Sequence, residues 1–367
     1  MYLLAVFALS AVLFALSLRA KRPEGAAGKT LLSALPEDSF MVATVDMKAL
    51  RASPLADPLT SLGLGRLAAG AAIQGASATC GFDPAAKIDE LAIALPEAED
   101  TGDFGLAMQG AVGRDELVEC AKKVISARGG RPTVAPQGAF TFVDDTTVGA
   151  KLALHEGGPF LLARGPWLTK MVATVEKTNP SIEGSPQHLE LRRALGPAAL
   201  VITALLPSKL RDRLKHDMNA ELTGANGNQA MAGVLAVNGA GVALVPGVAG
   251  GTTELTVELR CETADACTEV KKLVERKRDG WSKDLSFRLL GMGPLIDALA
   301  IETHEATLHA TTHLPADDAR RLLEQVIEMT TPHRRESSAP PLPGASRPPD
   351  EVVPARSPAR KEPSPSR

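Results

Sequence analysis

The stretch "ELTVELRCETADACTEVKKLVERKRD", residues 254–279, changes its period halfway along. Leu255, Val257 and Leu259 alternate with polar neighbours, the two-residue repeat of a strand with one buried face. From Ala266 the spacing becomes helical, through Val270, Leu273 and Lys277. Gly280 follows, where a helix end accommodates a left-handed residue. The stretch therefore predicts a strand, a short connection and an amphipathic helix.

The chain contains the same statement earlier. "GLAMQGAVGRDELVECAKKVISARGG", residues 105–130, aligns with 254–279 without a gap. Leu106 falls on Leu255, Met108 on Val257, and Lys122 to Ile125 on Lys271 to Val274. Leu117, Ala121, Val124 and Arg128 repeat the helical spacing, and Gly129 stands at the corresponding helix end. The same shift carries Pro166 onto Pro315, each placed between a strand-like and a helix-like run.

A weaker echo precedes each copy. "FMVATVDMKALRAS" (40–53) resembles "ALVITALLPSKLRDRL" (199–214), an apolar strand entering a basic helix. Hairpin-like segments fill the intervals, so each half reads β-α-β-β-α-β-β-α. Strands joined by short Gly/Asp turns pair antiparallel. The expected fold is α+β, with two tandem duplicated domains, each an antiparallel sheet with helices on one face. The expected borders are 1–22 for an N-terminal membrane anchor or signal and 23–32 for a linker. The two repeat domains span 33–195 and 196–331, joined near 180–196, and a Pro-rich disordered tail occupies 332–367.

Composition narrows the function. Aromatic residues make up 3% of the 367-residue chain and the net charge is −3. The core must be aliphatic, and there is neither basic excess nor stacking surface for nucleic acid. "YLLAVFALSAVLFALSL", Tyr2 to Leu18, carries no charge. As a helix it would span about 25 Å, just short of a bilayer core. With no small-residue cleavage site before Arg19, it is expected to remain as an anchor, with the membrane as partner through residues 2–18. Arg19, Lys21 and Arg22 on its C-terminal side favour a cytoplasmic body by the positive-inside rule. The cysteines favour an oxidising compartment, and the extracytoplasmic side is the expectation adopted. The tail from Pro332 is Pro, Ser and charge with little to bury.

Four cysteines divide evenly between the halves, Cys80 and Cys120 in the first, Cys261 and Cys267 in the second. One disulfide per half is expected; four buried free thiols are the alternative. Cys80 precedes the chain reversal "GFDP". Cys261 ends a strand, and Cys267 lies in the first turn of the next helix.

Catalytic and cofactor motifs are not evident. His304, His309 and His313 in "THEATLHATTHLP" lack the spacing of a helical zinc site. On a strand, His309 and His313 would share the outer face about 13 Å apart, too far for one metal. "LGLGRLAAG" (62–70) and "NGAGVALVPGVAGG" (238–251) do not match a phosphate-binding loop, and the second is expected to form a hairpin. Asp144-Asp145 is expected in a turn. "KKLVERKRDGWSK" is expected to be a solvated basic face. No metal, cofactor or catalytic residue is assigned.

"LPEDSFMVATVDMKALRASPL" (35–55), "CGFDPAAKIDELAIAL" (80–95) and "LVECAKKV" (117–124) resemble uncharacterised Ala/Gly-rich envelope proteins of delta-proteobacterial type. The resemblance covers the first half of the chain. It implies an extracytoplasmic α+β protein with a Cys80–Cys120 bridge, and it implies no activity. The expected function is therefore binding or structural assembly in the cell envelope, with a protein partner. A carrier for an apolar small ligand and an enzyme with an unrecognised site are the alternatives.

Overall fold

The computed structural model describes residues 29–58, 77–96, 103–145, 150–208, 211–212, 233–289 and 291–330. Its centre is one antiparallel sheet of twelve strands. In the first half a short helix α1 (Lys29–Leu32) precedes β1 (Ser39–Asp46), α2 (Met47–Arg51), α3 (Pro84–Lys87), β2 (Ile88–Pro96) and β3 (Gly105–Gly110). Helix α4 (Arg114–Ala127) then leads into four strands, β4 (Pro132–Gln137), β5 (Phe140–Asp145), β6 (Ala150–His155) and β7 (Phe160–Arg164), and into helix α5 (Trp167–Val175). A 3-10 turn, Ile182–Gly184, and helix α6 (Pro186–Leu195) follow.

The second half runs β8 (Leu200–Leu205), β9 (Val237–Val245), β10 (Thr252–Cys261) and helix α7 (Ala264–Lys283). Short helices α8 (Leu285–Leu289) and α9 (Gly293–Asp297) precede β11 (Ala300–His304), β12 (Thr307–Pro315) and helix α10 (Ala316–Thr330). The spatial order is β11-β12-β10-β9-β8-β1-β2-β3-β7-β6-β5-β4. The expected border at 195–196 falls between α6 and β8, and the sheet continues across it through the antiparallel pairing of β1 with β8.

Read outward from that pairing, the two halves follow the same course. β1-β2-β3-β7 on one side matches β8-β9-β10-β12 on the other. The strand phase expected from sequence holds: Leu106 and Met108 share a face with Leu255, Val257 and Leu259, through in-register partners across the sheet. Pro166 caps α5, and Pro315 stands immediately before α10.

Three expectations need correction. The first half has two more strands than expected, β4 and β5, and Asp144-Asp145 ends β5 instead of forming a turn. Within the link expected near 180–196, residues 186–195 form an amphipathic helix that buries His188, Leu191 and Leu195 against the sheet. The helices cover both faces. On the first face, α1 and α5 lie over Val42, Ala92, Ala94, Ala107, Leu161 and Ala163. On the second, α4 covers Val143, Leu154 and Phe160, α7 covers Leu308 and Ala310, and α9 with α10 covers Leu314. Strands such as β1 and β3 bury consecutive residues, Val42 with Ala43 and Leu106 with Ala107. A strand buried on both faces loses clean alternation. The correspondence of the halves also stops at the last helix, since α5 and α10 lie on opposite faces.

The first face is floored with glycine and alanine so that helices can come close. A Cβ at Gly105 would stand 2.4 Å from Trp167 Cδ1 and 2.5 Å from Met171 Sδ. A Cβ at Gly241 would meet Leu195 Cδ1 at 2.7 Å. Gly129 follows α4 with φ +79°, as its position predicts. Gly280 does not end α7, which continues to Lys283. Trp281 holds that last turn by stacking on Phe287, with ring centroids 5.5 Å apart, beside Met292 and Ile296.

These contacts set opposite signs for two glycine substitutions. Gly105→Ala should destabilise by about 1–3 kcal/mol through overpacking against Trp167. Gly280→Ala, mid-helix with open space around its Cβ, should stabilise by about 0.5–1 kcal/mol. Urea unfolding of the two variants checks both signs; destabilisation by Gly280→Ala would place the helix end where the sequence put it.

Candidate functional site

All four cysteines are paired, Cys80 with Cys120 and Cys261 with Cys267, and none is free. Their Cα atoms are 4.8 and 5.6 Å apart, within normal disulfide reach. Gly81, at φ +80°, turns the chain after Cys80 into α3 and β2. Lys87 at the end of α3 donates to Glu116 Oε1 at 2.6 Å in the first turn of α4, and its ammonium lies 4.5 Å from the Phe82 ring centroid. The hydrogen bond from Lys87 holds the Glu116 carboxyl below its usual range. Thr263 caps α7 by accepting from Ala266 N at 3.2 Å, which fixes the turn between Cys261 and Cys267.

The histidine segment divides between two strands. His304 ends β11, Glu305 turns the chain at φ 50°, and β12 carries His309 and His313. Leu308, Ala310, Thr312 and Leu314 are buried on one face, as their alternation predicts. His309 and His313 occupy the other, each opposite a glutamate of β10. His309 Nδ1 lies 2.8 Å from Glu258 Oε2, and His313 Nε2 lies 3.5 Å from Glu254 Oε2. The Glu258 side chain is 5% exposed and that of His309 40%, so this histidine is not simply solvated. On the same face, Glu190 of α6 pairs with Arg260.

A carboxylate–imidazole pair can orient one tautomer of the ring and carry a proton. Acyl or phosphoryl transfer also needs a nucleophile against the second ring nitrogen. The described hydrogen bonds bring no serine, threonine or cysteine there, and the cysteines are held in disulfides. Among the described residues, no three of His, Cys, Asp and Glu converge as metal ligands.

The most enclosed polar arrangement was not recognised from sequence. His188 of α6 is fully buried. Its Nε2 lies 3.0 Å from the Ser39 carbonyl of β1, and its Nδ1 lies 2.8 Å from Thr203 Oγ1 of β8. The carbonyl can only accept, so Nε2 carries the proton, and Thr203 donates to Nδ1 when the ring is neutral. Burial, with help from the Arg192 charge and against the Ser39 hydrogen bond, pushes the imidazole below the ordinary histidine range. Arg192, one turn on, donates to Thr44 Oγ1 at 2.7 Å. The sequence signal was available: His188, Leu191, Arg192 and Leu195 share one face of a Pro-initiated helix.

Elsewhere, Ser208, Arg211, Asp212 and Leu235 line an open pocket of ≈ 190 Å³, below the usual size of a small-molecule site. Arg211 donates to the Leu235 carbonyl at 3.2 Å and pairs with Glu262. The glycine-rich run 238–251 forms the β9–β10 hairpin as expected, and 62–70 lies outside the described residues. In the basic segment 271–283 of α7, Lys272 pairs with Glu269 and Lys271 with Glu275, while Val274 and Trp281 pack inward. No helix among the described residues is long and apolar enough to cross a membrane. Residues 2–18 and the tail from 332 lie outside the described residues.

No protein-family model matches the chain, and no curated protein does either. Solved structures of TP0453 are similar at low identity. Crystal form III has a TM-score of 0.45 at 11% identity, covering 81% of this chain and 97% of that one. Crystal form I has a TM-score of 0.46 at 9% identity, covering 84% and 100%.

Loop length separates the two disulfides energetically. Removing Cys80–Cys120, which closes 40 residues, should cost about 4 kcal/mol, and removing Cys261–Cys267, which closes 6, about 2 kcal/mol. Denaturation of the paired Cys→Ser variants measures this. Non-reducing peptide maps should contain both cross-linked peptides; four alkylatable thiols in the native protein would refute the pairing.

Proposed function

We propose that this chain is a membrane-tethered protein of the cell envelope that binds or assembles with a protein partner. One observation carries the proposal: all four cysteines are paired within their own half, with Cys120, Cys261 and Cys267 buried and Cys80 half-buried, and such bonds persist in oxidising compartments. The uncharged run Tyr2–Leu18 supplies a means of tethering there. The resemblance of 35–55, 80–95 and 117–124 to envelope proteins agrees with that compartment.

We also read the two halves as copies of one module. The common strand course, the gapless alignment of 105–130 with 254–279 and the equivalent prolines support this. In this view the copies fused edge to edge, and each half uses the other to cover its first strand.

A carrier for an apolar ligand is the second reading. Met41, Ile93, Leu95, Leu162 and Ile202 form a half-buried aliphatic row across the second face. Native mass spectrometry of the detergent-extracted chain separates the two: a co-purifying small apolar molecule favours the carrier.

Crosslinking in intact cells followed by mass spectrometry tests the main proposal. The expected result is a reproducible protein partner of the envelope, with the body accessible to external protease after outer-layer permeabilisation. Protection of the body until the inner membrane is lysed would place it in the cytoplasm and overturn the proposal.

A further inference from the structure

Helix α6 is attached to the sheet by a narrow apolar side and a set of polar links. Its apolar side is narrow: Leu191 and Leu195 rest on Gly239 and Gly241, with Ala198, Val201 and Ala243 beside them. The rest of its attachment is polar. His188 reaches both strands of the central pairing, Arg192 reaches Thr44 of β1, and Glu190 reaches Arg260 of β10. Gly196, at φ +67° with nothing near its Cβ, ends the helix as a ready pivot.

We propose that α6 is an acid-released clasp over the β1–β8 seam, with His188 as its latch. The neutral ring accepts from Thr203 and donates to Ser39. A second ring proton at Nδ1 removes the acceptor that Thr203 uses and places a charge in a fully enclosed site beside the Arg192 guanidinium. Lifting α6 relieves both.

The charged surroundings offer the imidazolium little compensation. On α6 they are Glu190, already paired with Arg260, and the cations Arg192 and Arg193. The 3-10 turn carries Glu183. Before β1 lie Glu37 and Asp38, the latter held by Lys170 at 2.5 Å, and Asp46 at the far end of β1 caps α2. β8 and β9 carry no charge; on the helix side of β10 stand Glu258 and Glu254, beside His309 and His313 of β12, and Arg260, paired with Glu190. Arg192 is the charged group that acts on the ring, and its sign opposes protonation.

Because burial depresses the folded-state value, the docked form binds fewer protons than the released form. Docking is complete above the ordinary histidine value of about 6.5 and weakens up to tenfold per pH unit below it, until the depressed value is reached. Hydrogen exchange on the full-length chain in detergent, from pH 8 to 4.5 and corrected for intrinsic rates, reads this directly. Amides of 186–195 should lose protection towards acid at that rate while β9 and β10 keep theirs. His188→Gln, which can donate to the Ser39 carbonyl and does not titrate in this range, should flatten the profile. Should that variant misfold, the wild-type His188 ring resonances must titrate in step with the α6 amides. Uniform loss of protection across the sheet, an unchanged acid profile in a folded His188→Gln variant, or a ring that titrates without α6 release would each overturn the clasp.

Discussion

The antiparallel pairing of β1 with β8 is the constraint on which the rest of the fold depends. It runs from Met41 opposite Ala204 to Val45 opposite Leu200. Both strands begin their halves, and without this contact each would be an edge. An exposed edge offers unpaired amides and carbonyls to any other strand. Joined, they convert two smaller sheets into one of twelve strands, and the remaining edges become β11 and β4. β11 is only five residues long, and β4 carries Pro132 and Pro136. Prolines on an edge strand remove amide donors, which discourages further growth of the sheet.

The seam also explains the composition. A central strand covered on both faces needs helices near enough to exclude water, and few aromatic side chains are available to fill a wide gap. The chain closes the gap from below instead. Gly105, Gly239, Gly241, Ala92, Ala94, Ala107 and Ala163 bring the helices down onto the backbone of the first face. Small floors bury little area per residue, so apolar contact alone gives α6 a modest hold. His188, Arg192 and Glu190 supply directional links that fix which strands it spans. A buried polar link is stabilising only while every member is satisfied, so the hold of α6 on the seam rests on the state of the His188 ring.

Much of this arrangement was legible in the sequence because the second face keeps a clean period. Leu255, Val257, Leu259, Leu308, Ala310 and Leu314 alternate as a half-buried strand should, and all lie where that alternation puts them. Gly81 and Gly129 mark real left-handed turns. The first face was harder to read, since alanine and glycine carry almost no hydropathy contrast with their neighbours. Ala107 is completely buried although it stands between Leu106 and Met108, which face the other way. β4 was missed because five of its six residues are exposed and two are prolines, leaving no alternation to detect. Gly280 misled because a helix end is marked by glycine only when tertiary contacts do not pull the helix onward, and Trp281 does so here. The helical spacing of His188, Leu191 and Leu195 marks an inward face, but the partners of His188, Ser39 and Thr203, are distant in sequence and ordinary in type.

The two disulfides each hold the corresponding helix of a half, α4 to the segment ahead of α3 and α7 to the end of β10, yet they do not occupy corresponding positions. Under the alignment of the halves, Cys120 falls on Glu269 and Cys267 on Val118. Shared ancestry of the bonds would have placed them together, so a common physical need is the better account. That need is visible in burial. Cys120 is the only fully buried residue of α4, and Cys267 and Val270 are the only ones of α7. Helices so polar gain little from packing, and their own propensity does not fix them to a sheet. A covalent staple lowers the entropy of the undocked alternative without requiring more apolar surface. The same helices can then keep an outer side rich in charge.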